Sequence, residues 1–372
     1  MFKTYFCLVL FILQWIYFSN SFGQNMKSRK FFDIKTALKN AEFSDSLDLS
    51  QLDSCALDSQ IILLPHLKYV KLAFMHLEKI PPWLSQLQHL ESIDLSGNKD
   101  LDLKQVFSIL SKIPHLKSIR FAYAQLKKIP ELEVKFEALE IIDFSHNFLF
   151  ELPKSFASFG DLKYLNLSSN RFIKFPESIY SLASLAELDL SINKIDSFDN
   201  SIQFLKSIKK INFLQNRLKS LPDSMGRLTN LEEMNCSGNQ IQDIPFGFEN
   251  LKKLYLRKNL FTYFPKSVCD MRKLELLQIS ENQICILPTN LGNLKNLKQL
   301  YLWDNQIENI PESFCGLRSL EEWIIFKNHI KIIPNCLGRL QSIRHIQIGH
   351  NQLTRFEVQK LMRILFWAKI EI

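Results

Sequence analysis

Large aromatic and basic residues replace small ones at matching places late in the chain, and such residues are suited to binding. Trp303 stands where the equivalent stretches LNLSSNRF and LDLSINKI, which begin at Leu165 and Leu188, have a serine. Tryptophan, tyrosine and arginine are over-represented at binding hot spots, and an exposed apolar cluster rimmed by charge usually marks an interaction site. The candidate ligand-binding residues are Tyr255, Arg257, Lys258, Tyr301, Trp303, Ile324, Phe326 and Lys327.

Residue combinations that support catalysis or metal binding are missing from the sequence. It contains no CxxC, HExxH or GxSxG pattern and no phosphate-cradling glycine loop. His345 and His350 are five positions apart along one expected strand and turn, which is too extended to chelate a single ion. We therefore expect a protein that is not an enzyme, with no catalytic residue, no metal ligand and no cofactor.

Composition and charge favour a well-packed chain with a modest preference for acidic partners. Of the 372 residues, 46% are hydrophobic, and glycine (10) and proline (13) are sparse, which argues against disorder. The formal net charge of +8 permits an acidic partner without demanding nucleic acid, because the basic residues are spread along the chain. No nucleic-acid partner is expected.

The first residues have the pattern of an export signal. Lys3 precedes an apolar run from Tyr5 to Phe18, and small residues follow, so the sequence predicts a signal peptide over residues 1–23 that is cut between Gly23 and Gln24. An uncleaved membrane anchor is the alternative, but a run of about 14 residues is short of the roughly 20 needed to span a bilayer. We expect the protein to be exported: secreted, periplasmic or on the cell surface.

Regularly spaced asparagines mark an internal repeat. Most are 23 residues apart; one step of 20 leads to Asn259, and one step of 26 leads to Ala124. Fourteen copies, which we call coils, share the phrase L-x-x-L-x-L-x-x-N-x-L and a short segment that follows it. The residues at the asparagine position are Leu52, Met75, Asn98, Ala124, Asn147, Asn170, Asn193, Asn216, Asn239, Asn259, Asn282, Asn305, Asn328 and Asn351.

The physical chemistry of the phrase predicts a stacked architecture. Alternation in x-L-x-L-x makes a short strand whose leucines face one side, and the asparagine amide can satisfy backbone groups where the strand turns. One coil cannot bury its own leucines, so neighbouring coils must stack to form the core. Counted from the first leucine, the third, fifth, seventh and eighth residues then face away from the core.

The phrase resembles that of the leucine-rich repeat family, and it recurs over nearly all of the chain after the predicted signal. This resemblance implies an α/β fold: a curved leucine-rich-repeat solenoid with a parallel β-sheet on its concave face. The convex segments leave room for short 3₁₀ or irregular turns and hardly for full α-helices. We expect an N-terminal cap over residues 24–45, the solenoid over 46–351 and a C-terminal cap over 352–372.

The caps have their own sequence patterns. The stretch from Asp33 to Asn40 predicts a short helix, and the residues Val358, Leu361, Leu365 and Ala368 fall on one helical face. The terminal KIEI alternates and predicts a closing strand. A C-terminal cap made of a helix followed by a strand resembles the cap of many exported bacterial repeat proteins.

Six cysteines would remain after signal removal, and we expect most of them to be unpaired thiols. Cys236 occupies a core-leucine position, where a small apolar thiol fits. Cys269 and Cys315 lie two coils apart, too far for a disulfide. Cys315 and Cys336 lie in adjacent coils and are the one plausible pair, although scattered, unpaired thiols are the favoured interpretation.

The favoured function is macromolecular recognition on the concave sheet. The outward positions are small and acidic in the first half and turn aromatic and basic from Tyr255 onward, which favours a protein ligand with an acidic surface. An adhesin for acidic glycan or an anionic membrane surface is one alternative. Another is an intracellular scaffold, since the repeats also resemble those of plant intracellular Ras-group leucine-rich repeat proteins. For Trp303 and Phe326, plain cross-strand packing competes with binding.

Overall fold

The strands of the computed structural model, which describes residues 30–54 and 57–372, form one parallel sheet of sixteen strands. Each strand pairs with the next one along the chain, as a solenoid requires. The predicted signal peptide, its cut site and Cys55 lie outside the described residues. The strands are β1 Lys30–Phe31, β2 Ser46–Asp48, β3 Tyr69–Lys71, β4 Ser92–Asp94, β5 Ser118–Arg120, β6 Ile141–Asp143, β7 Tyr164–Asn166, β8 Glu187–Asp189, β9 Lys210–Asn212, β10 Glu233–Asn235, β11 Lys253–Tyr255, β12 Leu276–Gln278, β13 Gln299–Tyr301, β14 Glu322–Ile324, β15 His345–Gln347 and β16 Lys369–Glu371.

Alternating burial explains why each phrase forms a strand. In β13, Leu300 is fully buried while Gln299 and Tyr301 on either side are half-buried, and Leu302 beyond the strand is again fully buried. The middle residue of each strand from β2 to β15 is likewise buried, and these residues belong to one continuous hydrophobic core. Trp323 takes a core-leucine position and is 0% exposed.

Short 3₁₀ helices line the convex side, except between β4 and β6 and between β10 and β11. The coil of 26 residues contains an α-helix, α2, from Leu103 to Leu110, so the expectation that no full helix would fit there is wrong. Its three extra residues provide room for two turns, and Asp102 caps the helix by accepting the Gln105 N–H at 3.2 Å. The 3₁₀ helices are Ala41–Phe43, Ser59–Leu63, Pro82–Gln86, Lys154–Ser158, Glu177–Ser181, Asn200–Phe204, Asp223–Arg227, Lys266–Asp270, Leu291–Asn293, Glu312–Gly316 and Asn335–Arg339.

The coil of 20 residues has no 3₁₀ helix between β10 and β11. Its shortened convex segment lies directly on the preceding coil, so that a Cβ added to Gly226 would come within 1.9 Å of the Phe246 carbonyl oxygen. Gly247, with a φ of +106°, turns the chain in a conformation that favours glycine. Because this coil lacks three convex residues, its backbone lies in close contact with the backbone of the preceding coil.

A ladder of asparagines joins neighbouring coils. Asn193 Oδ1 accepts the Phe172 N–H at 3.1 Å, and its Nδ2 donates to the carbonyls of Leu167 and Leu190 at 3.0 Å each. Equivalent bonds continue from coil to coil up to Asn351, so the predicted role of the asparagine is confirmed. The residue before it has a positive φ in every coil, even where it is the β-branched Ile192 at +54°.

Both ends of the core carry helices where the sequence predicts them. Helix α1, Ile34–Lys39, is capped by Asp33, whose carboxylate accepts the Thr36 N–H at 2.8 Å. Helix α3, Arg355–Ile364, buries Leu361 but ends before Leu365 and Ala368, which the sequence places on its face, and β16 then closes the sheet against β15. None of the described helices is long and apolar enough to cross a membrane. The predicted cap boundaries themselves stay a prediction.

A ladder of alternating charge runs along the second residue of each coil. Glu91, for example, pairs with Lys68 at 3.1 Å and with Lys117 at 3.0 Å, one in each adjacent coil. Ala186 takes the place of one acidic residue, and the alternation resumes after it. Further pairs have distances of 2.6–3.0 Å between the lysine nitrogen and the carboxylate oxygen. In order, these residues are Asp45, Lys68, Glu91, Lys117, Glu140, Lys163, Ala186, Lys209, Glu232, Lys252, Glu275, Lys298, Glu321 and Arg344.

Two cysteines of adjacent coils are bonded. Cys315 and Cys336 form a disulfide with a Cα–Cα distance of 5.8 Å, so the favoured interpretation of unpaired thiols is wrong for this pair. The strand spacing brings these residues together on the convex side. Cys236 and Cys269 are buried free thiols, and burial raises the pKa of each to about 12.

Candidate binding surface on the concave sheet

Trp303 and Phe326 form the centre of the predicted site. Both follow the strand of their coil at the seventh position, and their rings stack with centroids 5.4 Å apart and planes 3° from parallel. Both side chains are half-buried. Strand spacing of about 4.8 Å explains the stack, because it is close to the separation that aromatic pairs prefer.

Arg257 covers the other side of Trp303. Its guanidinium carbon lies 5.0 Å from the centre of the tryptophan ring, although the two residues are two coils apart. The seventh residue of the intervening coil is Ser280, which is 0% exposed and small enough for the arginine to extend over it. Trp303 is therefore held between Arg257 and Phe326, with neither face fully open.

Two of the predicted residues contribute almost no surface. Tyr255 is 6% exposed and Ile324 is 5% exposed, so neither can provide the contact area that the sequence analysis assigns to them. Burial raises the pKa of the Tyr255 hydroxyl, which stays neutral. These side chains form the floor beneath the exposed residues.

Carboxylates that sequence reasoning missed compensate much of the positive charge. Arg257 Nε donates to Glu281 Oε1 at 2.8 Å, and Lys327 Nζ lies 3.9 Å from Asp304 Oδ2. The Tyr301 hydroxyl donates to Glu322 Oε2 at 2.6 Å. A signal was present in the sequence, since each acid stands 21 to 24 residues from its partner, which is one coil. Lys258, at the rim, is exposed.

The acidic residues of the first half have a different role. The carboxylates of Asp143 and Asp189 accept the N–H groups of Ser145 and Ser191, each at 2.8 Å. Burial raises the pKa of Asp189, although hydrogen bonds from Ser191 and Asn212 oppose this effect. Much of the predicted acidity of this half is therefore bound to the backbone of its own coil.

Comparison with known families identifies the repeat. Models described as leucine-rich repeat region and leucine rich repeat match residues 248–365 and 137–195, and a third, also described as leucine rich repeat, matches residues 230–251. No curated protein sequence matches this chain.

Solved structures with the same fold include two from bacteria and one from a plant. A leucine-rich repeat protein of Leptospira interrogans has a TM-score of 0.73 at 23% identity and covers 92% of this chain and 100% of its own. An internalin of Listeria monocytogenes has a TM-score of 0.64 at 18% identity, with 90% and 88% covered. A receptor kinase ectodomain of Arabidopsis thaliana, solved with CASPARIAN STRIP INTEGRITY FACTOR 2, has a TM-score of 0.67 at 23% identity, with 90% and 42% covered. The repeat, the open parallel sheet and these matches together make the chain a member of the leucine-rich repeat family.

Proposed function

We propose that the protein is a non-enzymatic recognition module that binds a protein ligand on the concave face of β11 to β14. Trp303 and Phe326 provide the apolar anchor, and Lys258 at the rim adds a preference for acidic groups. Tyr301 and Lys327 border the anchor. The concave face runs without interruption across these strands and is wide, as a protein ligand requires.

The observation that carries the proposal is the stack of Arg257, Trp303 and Phe326. An aromatic pair fixed by its neighbours loses little conformational freedom on binding, so more of its contact energy appears as affinity. The stack is also half-exposed, which costs solubility and needs a reason. A partner that covers it supplies that reason.

The alternatives receive less support. An aromatic side chain that binds a sugar ring by stacking needs an open face, and Trp303 has Phe326 on one face and Arg257 on the other. Anionic lipid or acidic glycan would require a strong positive field, which Glu281 and Asp304 reduce. The solved Arabidopsis ectodomain is in complex with a named factor, which fits recognition as a use of this fold.

Export is part of the proposal and rests on the sequence of residues 1–23. The mature protein then begins at Gln24 and meets its ligand outside the cytoplasm. Mass spectrometry of the native protein tests this point, and a retained Met1 to Gly23 segment would contradict it.

The binding test compares three proteins in cross-linked pull-downs from native membranes and medium: wild type, a Trp303→Ser, Phe326→Ser double variant and Leu214→Ser. Leu214 is the matched control, because it is also a half-buried apolar residue at the seventh position but lies in the first half. We expect a protein to be captured by wild type and Leu214→Ser and not by the double variant. Equal capture by all three, or capture abolished by glycosidase treatment, would contradict the proposal.

A further inference from the structure

Three of the eight histidines occupy the same position in three consecutive coils. His66, His89 and His115 each stand directly before the first leucine of the phrase, in the turn that leads into β3, β4 and β5. All three side chains are exposed. Together they line a surface groove of about 400 Å³, which also includes Lys68, Glu91 and Lys117.

Backbone hydrogen bonds fix the spacing of these turns. Two residues after the histidines, the Glu91 N–H donates to the Lys68 carbonyl and the Lys117 N–H donates to the Glu91 carbonyl, each at 2.8 Å. Adjacent coils are therefore in register, so the backbones of neighbouring histidines lie about 4.8 Å apart and those of the outer two about 10 Å apart along the sheet. His89 lies between the other two and can meet either one.

Side chains at this position do meet across coils elsewhere in the molecule. Asn250 and Lys273 hold the histidine position in the coils of β11 and β12, and Lys273 Nζ donates to Asn250 Oδ1 at 2.5 Å. Asn230, at the same position, donates to the Lys206 carbonyl of the preceding coil at 2.8 Å. This position therefore allows side chains of adjacent coils to approach one another.

We infer that His66, His89 and His115 form a binding site for a divalent transition metal ion of the zinc class. Neutral imidazole is a preferred ligand of such ions, and three imidazoles leave one position of a tetrahedral zinc ion open. That position can take water or a carboxylate of another molecule. The nitrogens of the three rings do not all lie within 4.8 Å of one another in the structure. Because the side chains are exposed, the rings of His66 and His115 can turn toward His89.

A metal and an anion at this groove can be distinguished by pH. Lys68 and Lys117 both pair with Glu91, so each ammonium group already has a carboxylate partner, and the three groups together carry one positive charge. A metal requires neutral imidazoles, whereas an anion would require protonated ones, so the two ligands have opposite pH dependence.

A second group of donors in the described part of the chain does not compete. Glu312, Cys315 and Cys336 lie within 4.8 Å of one another, but the two sulfurs are joined to each other in a disulfide. They are therefore not thiolate ligands under oxidising conditions.

The test is titration of untagged, unreduced protein with Zn²⁺ by calorimetry at pH 7.5 and pH 5.5. We expect one zinc ion per chain at pH 7.5, and affinity at least about tenfold weaker at pH 5.5, because protons compete with the metal for the imidazole nitrogens. His89→Ala should lose at least about tenfold in affinity. His66→Ala and His115→Ala should lose less, since each leaves an adjacent pair.

His329→Ala is the matched control, because His329 is exposed and lies far along the solenoid. It should bind zinc as wild type does, and all variants should keep the wild-type melting temperature without metal. Absence of zinc binding by wild type, or unchanged binding by His89→Ala, would overturn the inference. So would binding of inorganic phosphate that strengthens at pH 5.5 and is lost in His89→Ala.

Discussion

The concave face is built differently before and after the short coil between β10 and β11. In most coils up to β10, the fifth residue is an aspartate or asparagine that accepts the N–H two residues later, as Asn166 does from Ser168 at 3.0 Å. From β11 onward the fifth residue is a tyrosine, glutamine or isoleucine. The side chains that make this bond are Asp48, Asp94, Asp143, Asn166, Asp189, Asn212 and Asn235.

This difference separates two uses of one surface. A side chain bonded to its own backbone stabilises the turn and has less capacity for a partner. Where that bond is missing, large side chains take the position, such as Tyr301, whose hydroxyl donates to Glu322, and a half-buried aromatic stack of Trp303 and Phe326 lies on the same face. The core below does not distinguish the halves, so the scaffold and the recognition surface can vary independently.

The largest expected effect tests whether the core is the same in both halves. Leu190→Ala and Leu302→Ala each remove a fully buried side chain at the sixth position, one per half. Each should lower the free energy of unfolding by about 2–5 kcal/mol through lost burial and a cavity. Urea denaturation measures both. A much smaller effect in either half would mean that the two cores are packed differently.

The next effect concerns the hydrogen bond that the fifth residue accepts from the N–H two residues later. Asp189→Ala leaves the buried Ser191 N–H without its acceptor and should cost about 1–3 kcal/mol. Tyr301→Phe, at the same position of the second half, removes one half-buried hydrogen bond and should cost about 0.5–1.5 kcal/mol. If the two variants were equally stable by urea denaturation, the proposed division between the halves would fail.

Trp303→Ser should cost about 1 kcal/mol in stability, through its contacts with Phe326 and Arg257. This is less than the cost of Leu302→Ala, one residue away and facing the core. The measurement is the same denaturation midpoint. A loss as large as that of Leu302→Ala would place the tryptophan in the core and remove the main argument for a binding site.

The smallest effect has the opposite sign. Asp189→Asn keeps the acceptor for Ser191 and matches the asparagines found in neighbouring coils, so it should be as stable as wild type or up to about 1 kcal/mol more stable at pH 7. Because burial raises the pKa of Asp189 in the folded protein, wild type loses stability as pH rises through that pKa. The difference should vanish near pH 3, where the aspartate is protonated in both states. A variant less stable than wild type at pH 7 would contradict this account.

The repeat made most of the fold predictable from the sequence. The asparagine ladder and the buried Trp323 follow from period and residue type, since each coil repeats the same physical problem. Helix α2 was missed because three extra residues can form either a longer loop or a helix. Only the buried face of Leu103, Phe107 and Leu110 distinguishes the two.

The candidate surface was only partly predictable. Position in the phrase correctly places Trp303 and Phe326 side by side, but exposure depends on neighbours that the phrase does not specify. Ser280 lets Arg257 reach Trp303, and nearby side chains cover Tyr255 and Ile324. Glu281 was predictable as the partner of Arg257, because an acid one coil away from a base on the same face lies within reach of it.

The alternating charges beside the strands have a consequence for how the chain can be edited. Because Glu91 lies between Lys68 and Lys117, removing one whole coil would bring two like charges into adjacent coils. Removing two consecutive coils would restore opposite neighbours. With respect to charge, the unit that can be gained or lost without a mismatch is therefore a pair of coils, although the unit of packing is one.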